Sequence, residues 1–197
     1  MQDKSRKRTV AVYCGSSPGT SPLFGEVASQ FGTWLGQNGF NVVYGGSSVG
    51  LMGLVSRAAL DAGAEVLGVE PQFFIDAGVE QHDLSELRIV RTMSERKAAM
   101  IAEADEFIAL PGGVGTLEEI SEIMARIHLY LDRENHINPS YSLHCYLLNL
   151  EGFYEGLKSL LNTMLDTGFM IPDTYERIHF PNSLKSLQKQ LLQRVSH

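Results

Sequence analysis

Residues Phe107–Glu119 read FIALPGGVGTLEE. Four apolar residues with no polar interruption are the pattern of a strand buried on both faces. The strand breaks at Pro111-Gly112-Gly113. From Thr116 to about Tyr130 the chain restarts with Ile120, Ile123, Met124 and Ile127 on one helical face. A buried strand, a glycine-rich turn and an amphipathic helix make up the repeating unit of a parallel α/β sheet.

Outward from this stretch the same unit recurs. TVAVYC is a strand ending at Gly15, and Leu23, Val27, Phe31, Trp34 and Leu35 then follow at helical spacing up to a stop at Asn38-Gly39. NVVY is a second strand, GGSSVG its turn, and a helix runs from about Leu51 to Ala62 before the third strand, EVLGV. PQFFIDAGVEQHDLSE has no clear period and reads as loop with at most one short helix. LRIV is a fourth strand, SERKAAMIAEA a helix and FIAL the fifth strand. After the polar connection LDRENHINPSYS, HCYLLNL is a sixth strand, FYEGLKSLLNTMLDTG a helix, RIHF a seventh strand and the tail a last helix. The expected fold is α/β: a doubly wound, mostly parallel sheet of about six or seven strands with helices on both faces, its site at the carboxyl ends of the strands. A single domain over residues 1–197, with residues 1–8 flexible, fits the length.

Composition narrows the function. Of 197 residues, 44% are hydrophobic and 20% charged, which is ordinary for a chain that buries a core. The formal charge of -7 argues against nucleic acid, whose phosphates call for a basic surface. Cys14 and Cys145 stand in no metal-ligand spacing and suggest a reducing, cytoplasmic setting. No apolar run approaches the length of a membrane span.

Three strand ends are glycine-rich: CGSSPG, YGGSSVG and LPGGVGT. Glycine there lets a ligand approach the main chain, and the helix behind it offers unpaired N–H groups and a partial positive charge. PGGVGT is thus a candidate phosphate cradle, with the Thr116 hydroxyl as a further donor, although it matches neither the Walker A pattern nor GxGxxG. Gly46–Gly50 also fits the GxSxG elbow of α/β-hydrolases, but no acid and histidine follow in the required setting. In SERK, Ser94 reads as an N-cap. Arg96 then falls in a first helical turn, where a cation opposes the helix dipole and calls for an anionic partner. Glu119 has two readings at this level. Thr116-Leu117-Glu118-Glu119 fits the T-x-x-E capping box, and the same carboxylate could equally do chemistry beside the glycines.

YGGSSVGLMG, the M-x-x-RK of MSERKAAM, and PGGVGTLEE resemble, in that order and spacing, the Lonely Guy (LOG) family of Rossmann-like proteins, long labelled possible lysine decarboxylases. CGSSPG and LLNLEGFYEGL are also similar to the family's segments, and the resemblance covers about residues 9–181. It implies a phosphoribohydrolase that cleaves the N-glycosidic bond of a nucleoside 5′-monophosphate, of AMP or cytokinin type, working as a homodimer with no metal or organic cofactor. The family's catalytic pair falls on Arg96 and Glu119. Its substrate contacts fall on Gly45, Gly46, Ser47, Met93, Lys97, Pro111, Gly112, Gly113, Gly115 and Thr116. A decarboxylase would need pyridoxal phosphate on a lysine with a partner for the ring nitrogen, and only Lys97 offers itself.

Three departures stand out. Ser47 replaces the third glycine of YGGGS. Arg126 and His128 occupy places where the family carries tryptophan and glutamine, and the 131–144 connection is longer than usual. These bear on base preference and on the interface. The rival expectation is a nucleotide carrier or sensor that keeps the phosphate loop without catalysis.

Overall fold

The computed structural model describes residues 7–78, 80–131 and 143–195. Most of the N-terminal segment expected to be flexible, and most of the 131–144 connection, lie outside the described residues. The chain divides into two compact units, residues 1–106 and 107–197.

In the first unit, strands β1 (Thr9–Tyr13), β2 (Asn41–Tyr44), β3 (Val66–Pro71) and β4 (Glu86–Val90) stand in the order β4-β3-β2-β1. All three pairings are parallel, with Val10 opposite Val42, Val42 opposite Val66 and Gly68 opposite Leu87. Helices α1 (Pro22–Gln37), α2 (Gly50–Asp61), α3 (Gln72–Ile75) and α4 (Met93–Glu103) alternate with them. Pro22 opens α1 because proline's fixed φ suits a first turn and its missing N–H costs nothing there. Successive residues of β1 and β2 are buried, so both faces of these strands are covered. Val10, Phe31, Leu35, Val43, Val55, Val66, Val69 and Met100 form the unit's core. Each large side chain there contributes roughly 1.5–3 kcal/mol of burial.

In the second unit, β5 (Glu106–Ala109, starting at the unit boundary), β6 (Cys145–Leu147) and β7 (Ile178–His179) are again parallel neighbours. α5 (Val114–Leu131), α6 (Glu155–Asp166), α7 (Pro172–Tyr175) and α8 (Leu184–Val195) complete it, with a 3₁₀ turn at Leu150–Gly152. Phe107, Ile108, Leu110, Ile120, Ile123, Tyr146, Leu161 and Leu187 fill its core.

In each unit parallel strands alternate with helices, the α/β arrangement expected from the alternating pattern. The seven strands and the longer helices fall in the expected order, and α3 is the short helix allowed for after β3. The 3₁₀ turn and α7 were not foreseen, since each is too short to show a hydrophobic period.

Candidate active site

In the first unit the predicted residues gather around the end of β2. Thr92 caps α4, its Oγ1 accepting from the Glu95 N–H at 3.1 Å, while the Glu95 carboxylate accepts from the Arg91 N–H at 2.8 Å. The cap is therefore Thr92 and not Ser94, which lies inside the helix and is exposed. This moves Arg96 to the fourth helical position and turns it inward. It is only 7% exposed, and its Nε donates to the Val69 carbonyl at 3.0 Å. A Cβ on Gly45 would run into Arg96 Nη2, so this glycine leaves room for the guanidinium. Met93 and Lys97 sit half-buried on the same helix.

Gly46 serves a second side chain. It adopts φ +89°, and a Cβ there would lie 3.0 Å from Glu70 Oε2. Glu70 is buried in β3, and burial pushes its carboxyl up to about 7; Arg96 opposes that rise and Glu80 adds to it. Ser47, also buried, forms an isolated antiparallel bridge with Glu80, and the Gln81 N–H donates to the Gly46 carbonyl at 3.0 Å. The Gln81 side-chain oxygen accepts from Tyr44 Oη at 3.1 Å and Ser56 Oγ at 2.6 Å. In sequence, the Gly45-Gly46 pair read as open floor for a ligand. In the fold that floor carries two of the chain's own charged groups.

Glu70, Glu80 and Gln81 were missed from sequence. The one available signal was a glutamate directly behind the apolar run VLGV, ahead of a segment without a period.

In the second unit the other half of the predicted set forms one loop and helix start. The Leu110 carbonyl, just before Pro111, accepts from Tyr154 Oη at 2.6 Å. Tyr154 is held in turn by Asn149, whose Oδ1 accepts from its N–H at 2.8 Å and whose Nδ2 donates to Glu155 at 2.9 Å. LLNLEGFY thus braces the loop from behind. Pro111 is buried and Gly112 half-buried, while Gly113 and Gly115 are exposed and an added Cβ on either would meet nothing within 4 Å. Packing does not demand glycine at 113 or 115, and their bareness leaves the helix amides open to an anion.

The start of α5 decides the reading of Glu119. The Leu117 N–H donates to the Gly113 carbonyl at 3.1 Å, so the first turn begins at Gly113 and Val114 is the first helical residue. Thr116 is third and Glu119 sixth. A capping box with Thr116 as N-cap is therefore ruled out by geometry. Both side chains are nonetheless buried, Thr116 at 4% exposed and Glu119 at 7%.

The departures from the family pattern find ordinary partners. Arg126 pairs with Glu122 one turn earlier at 2.8 Å, and His128 Nδ1 lies 3.1 Å from Thr174 Oγ1 of α7. His144 and His179 stack with a 2.8 Å contact between Nδ1 and Nε2. Among the described residues no group of three His, Cys, Asp or Glu side chains could hold a metal ion, and no helix is long and apolar enough to cross a membrane.

Parallel strands with glycine-rich turns behind β1, β2 and β5 define a Rossmann-like α/β protein. Solved structures share the fold: the molybdenum cofactor carrier protein of Chlamydomonas reinhardtii superposes with TM-score 0.69 at 17% identity, covering 98% of this chain and all of that one. The molybdenum cofactor binding protein of Rippkaea orientalis gives 0.66 at 17%, over 98% and 99%. At such identity the likeness is one of fold alone. Sequence relatives reach further. The cytokinin riboside 5′-monophosphate phosphoribohydrolase LOG7 of Arabidopsis thaliana is 39% identical over 96% of this chain and 83% of its own length, and LOG1 is 37% identical over 97% and 85%. The family model described as "Possible lysine decarboxylase" matches residues 52–191. The chain belongs to this family, that of the LOG proteins.

Proposed function

We propose that this protein is a phosphoribohydrolase: it hydrolyses the C1′–N bond of a purine nucleoside 5′-monophosphate, AMP or an N6-substituted AMP, to the free base and ribose 5-phosphate. The observation that carries the reading is Glu119, a carboxylate buried in the second turn of α5 with no capping role, behind a bare glycine loop. The 5′-phosphate takes the amides at the α5 N-terminus together with Thr116. As the bond to the base breaks, its electron pair leaves with the base, which takes up a proton. Positive charge grows on the ribose, and an ionised Glu119 stabilises it and orients the water whose oxygen bonds to C1′. Arg96, buried and fixed on Val69, supplies a cation for the anionic or hydroxyl groups of the substrate. Phosphate binding is thereby turned into positioning of the reacting carbon.

We further place the protein in the cytoplasm as a homodimer. Cys14 and Cys145 are buried thiols, and Val114, Leu117 and Leu129 expose apolar surface along α5, with Val114 87% exposed. Sedimentation equilibrium should give twice the chain mass, and Leu129→Lys should lower the association constant. A monomer at all concentrations would refute the dimer.

The test of the activity is a panel of nucleoside 5′-monophosphates against wild type and Glu119→Gln. We expect base release by wild type and a loss of about 100-fold or more in the variant, with folding unchanged. Saturable binding of AMP without base release would favour the carrier reading instead.

A further inference from the structure

Among the described residues, the buried polar atoms of the first unit without a hydrogen-bond partner include Glu70 Oε2, Glu80 Oε2 and Gln81 Nε2. They belong to one place. Ser47 bridges to Glu80, Gln81 N–H holds the Gly46 carbonyl, and the Glu70 carboxyl stands over Gly46. Glu70 and Gln81 are each 2% exposed. Gln81 is not free to turn, because Tyr44 and Ser56 hydroxyls both donate to its Oε1, which leaves Nε2 as an unused donor.

Nothing in the packing of β3 requires a carboxyl at residue 70. Val66, Leu67, Gly68 and Val69 precede it in the strand, and an apolar side chain would fill the same space without the desolvation penalty. The penalty is visible in the carboxyl itself, which burial and the neighbouring Glu80 hold well above the usual range despite the pull of Arg96. A buried group with an unused acceptor, set beside a fixed guanidinium, is the form of a ligand contact waiting for donors.

The chemistry of the lining selects the ligand group. Two carboxyl acceptors side by side repel a phosphate. Around them stand Gly45, Gly46, Ser47 and Arg96, and Tyr44, whose hydroxyl reaches Gln81, is fully buried, so its ring face is closed to a base. Two acceptors and one donor suit a pair of neighbouring hydroxyls, each of which donates and accepts. Carboxylates hold sugar hydroxyls in this way in other nucleotide sites.

We propose that Glu70, supported by Glu80 and Gln81, is a specificity-determining residue that binds the vicinal hydroxyls of the substrate's ribose, so that the enzyme selects ribose over 2-deoxyribose. The inference rests on the phosphoribohydrolase reading for its substrate, but its test reads binding and not turnover.

Titration calorimetry would compare ribose 5-phosphate with 2-deoxyribose 5-phosphate on wild type, Glu70→Leu and Glu70→Gln, with a thermal melt as the folding control. Wild type should bind the ribose compound at least 10-fold more tightly. In Glu70→Leu the two sugars should bind within about 2-fold of each other, with the deoxy compound's affinity unchanged. Glu70→Gln, which keeps an acceptor, should show an intermediate ratio and serves alone if the leucine variant does not fold. Equal binding of the two sugars by wild type, or an unchanged ratio in the folded variants, would overturn the proposal. So would a change in preference between AMP and IMP with the sugar ratio intact, because that would place a base at Glu70. Selective binding of ribose 5-phosphate by a protein that releases no base would sustain this inference while refuting the proposed reaction.

Discussion

Removing the charge at residue 70 should make the protein less sensitive to pH on its alkaline side. The Glu70 carboxyl ionises near 4.5 when exposed and at about 7 in the fold, where burial and Glu80 outweigh the attraction of Arg96. Between these values the folded state holds a proton that the unfolded chain has released. Stability therefore falls as pH rises through this window, and the loss is complete above pH 7. At about 1.4 kcal/mol per pH unit of difference, integration from pH 5 to pH 8 gives a loss of about 2.5 kcal/mol from this one group. Glu70→Gln has no such proton to lose. Urea denaturation of both proteins at pH 5, 6, 7 and 8 isolates the term, because every other titrating group is common to the two and cancels in the difference. The stability of wild type relative to the variant should be greatest at pH 5 and should drop by about 2.5 kcal/mol by pH 8. A difference that stays constant to within about 0.5 kcal/mol, or that grows with pH, would show that Glu70 is ionised throughout and that the burial argument is wrong.

Three other perturbations bear on the same structure. His144 is held down to about 3, first by burial and then by Arg194, His179 and Arg177, so the fold keeps it neutral while the unfolded chain takes up a proton below 6.5. Stability should drop by about 1.5 kcal/mol between pH 6.5 and pH 5 from this group, and a double His144→Leu, His179→Leu variant should flatten that slope in the same urea series. Gly45→Ala puts a methyl where Arg96 Nη2 lies. Steady-state assays should show kcat/KM reduced about 10-fold or more in a folded protein, with little further loss when Arg96→Ala is added. Tyr154→Phe removes the donor to the Leu110 carbonyl. It should cost about 1–2 kcal/mol in denaturation and raise KM through the loosened Pro111–Gly115 loop, whereas an unchanged KM would separate that brace from substrate binding.

The sheet was legible in the sequence because its signal is local. FIAL, NVVY and TVAVYC are unbroken apolar runs, and the helices between them carry their apolar residues at the helical period. The glycine loops and the MSERK and PGGVGTLEE segments likewise marked out the family and most of the candidate residues. The helix starts were less secure, because T-x-x-E fits a cap wherever it falls. The bond from Leu117 N–H to the Gly113 carbonyl sets α5 two residues earlier, and only that shift removes the cap from Glu119. Arg96 was recognisable as a cation out of place, but its burial against Val69 and Gly45 depends on chain neighbours some 27 and 51 residues away.

The sequence by itself thus determined the alternation of elements, the parallel sheet, the loops at the strand ends and the family. Tertiary structure alone decided what occupies the space above Gly45 and Gly46. A glycine pair reads the same whether it awaits a ligand or accommodates the chain's own side chains, since the residue carries no record of its neighbours. The charge state of Glu70 is likewise no property of the glutamate. It arises from lost water, Arg96 and Glu80, which come together only when β3, α4 and the segment after α3 are folded into place.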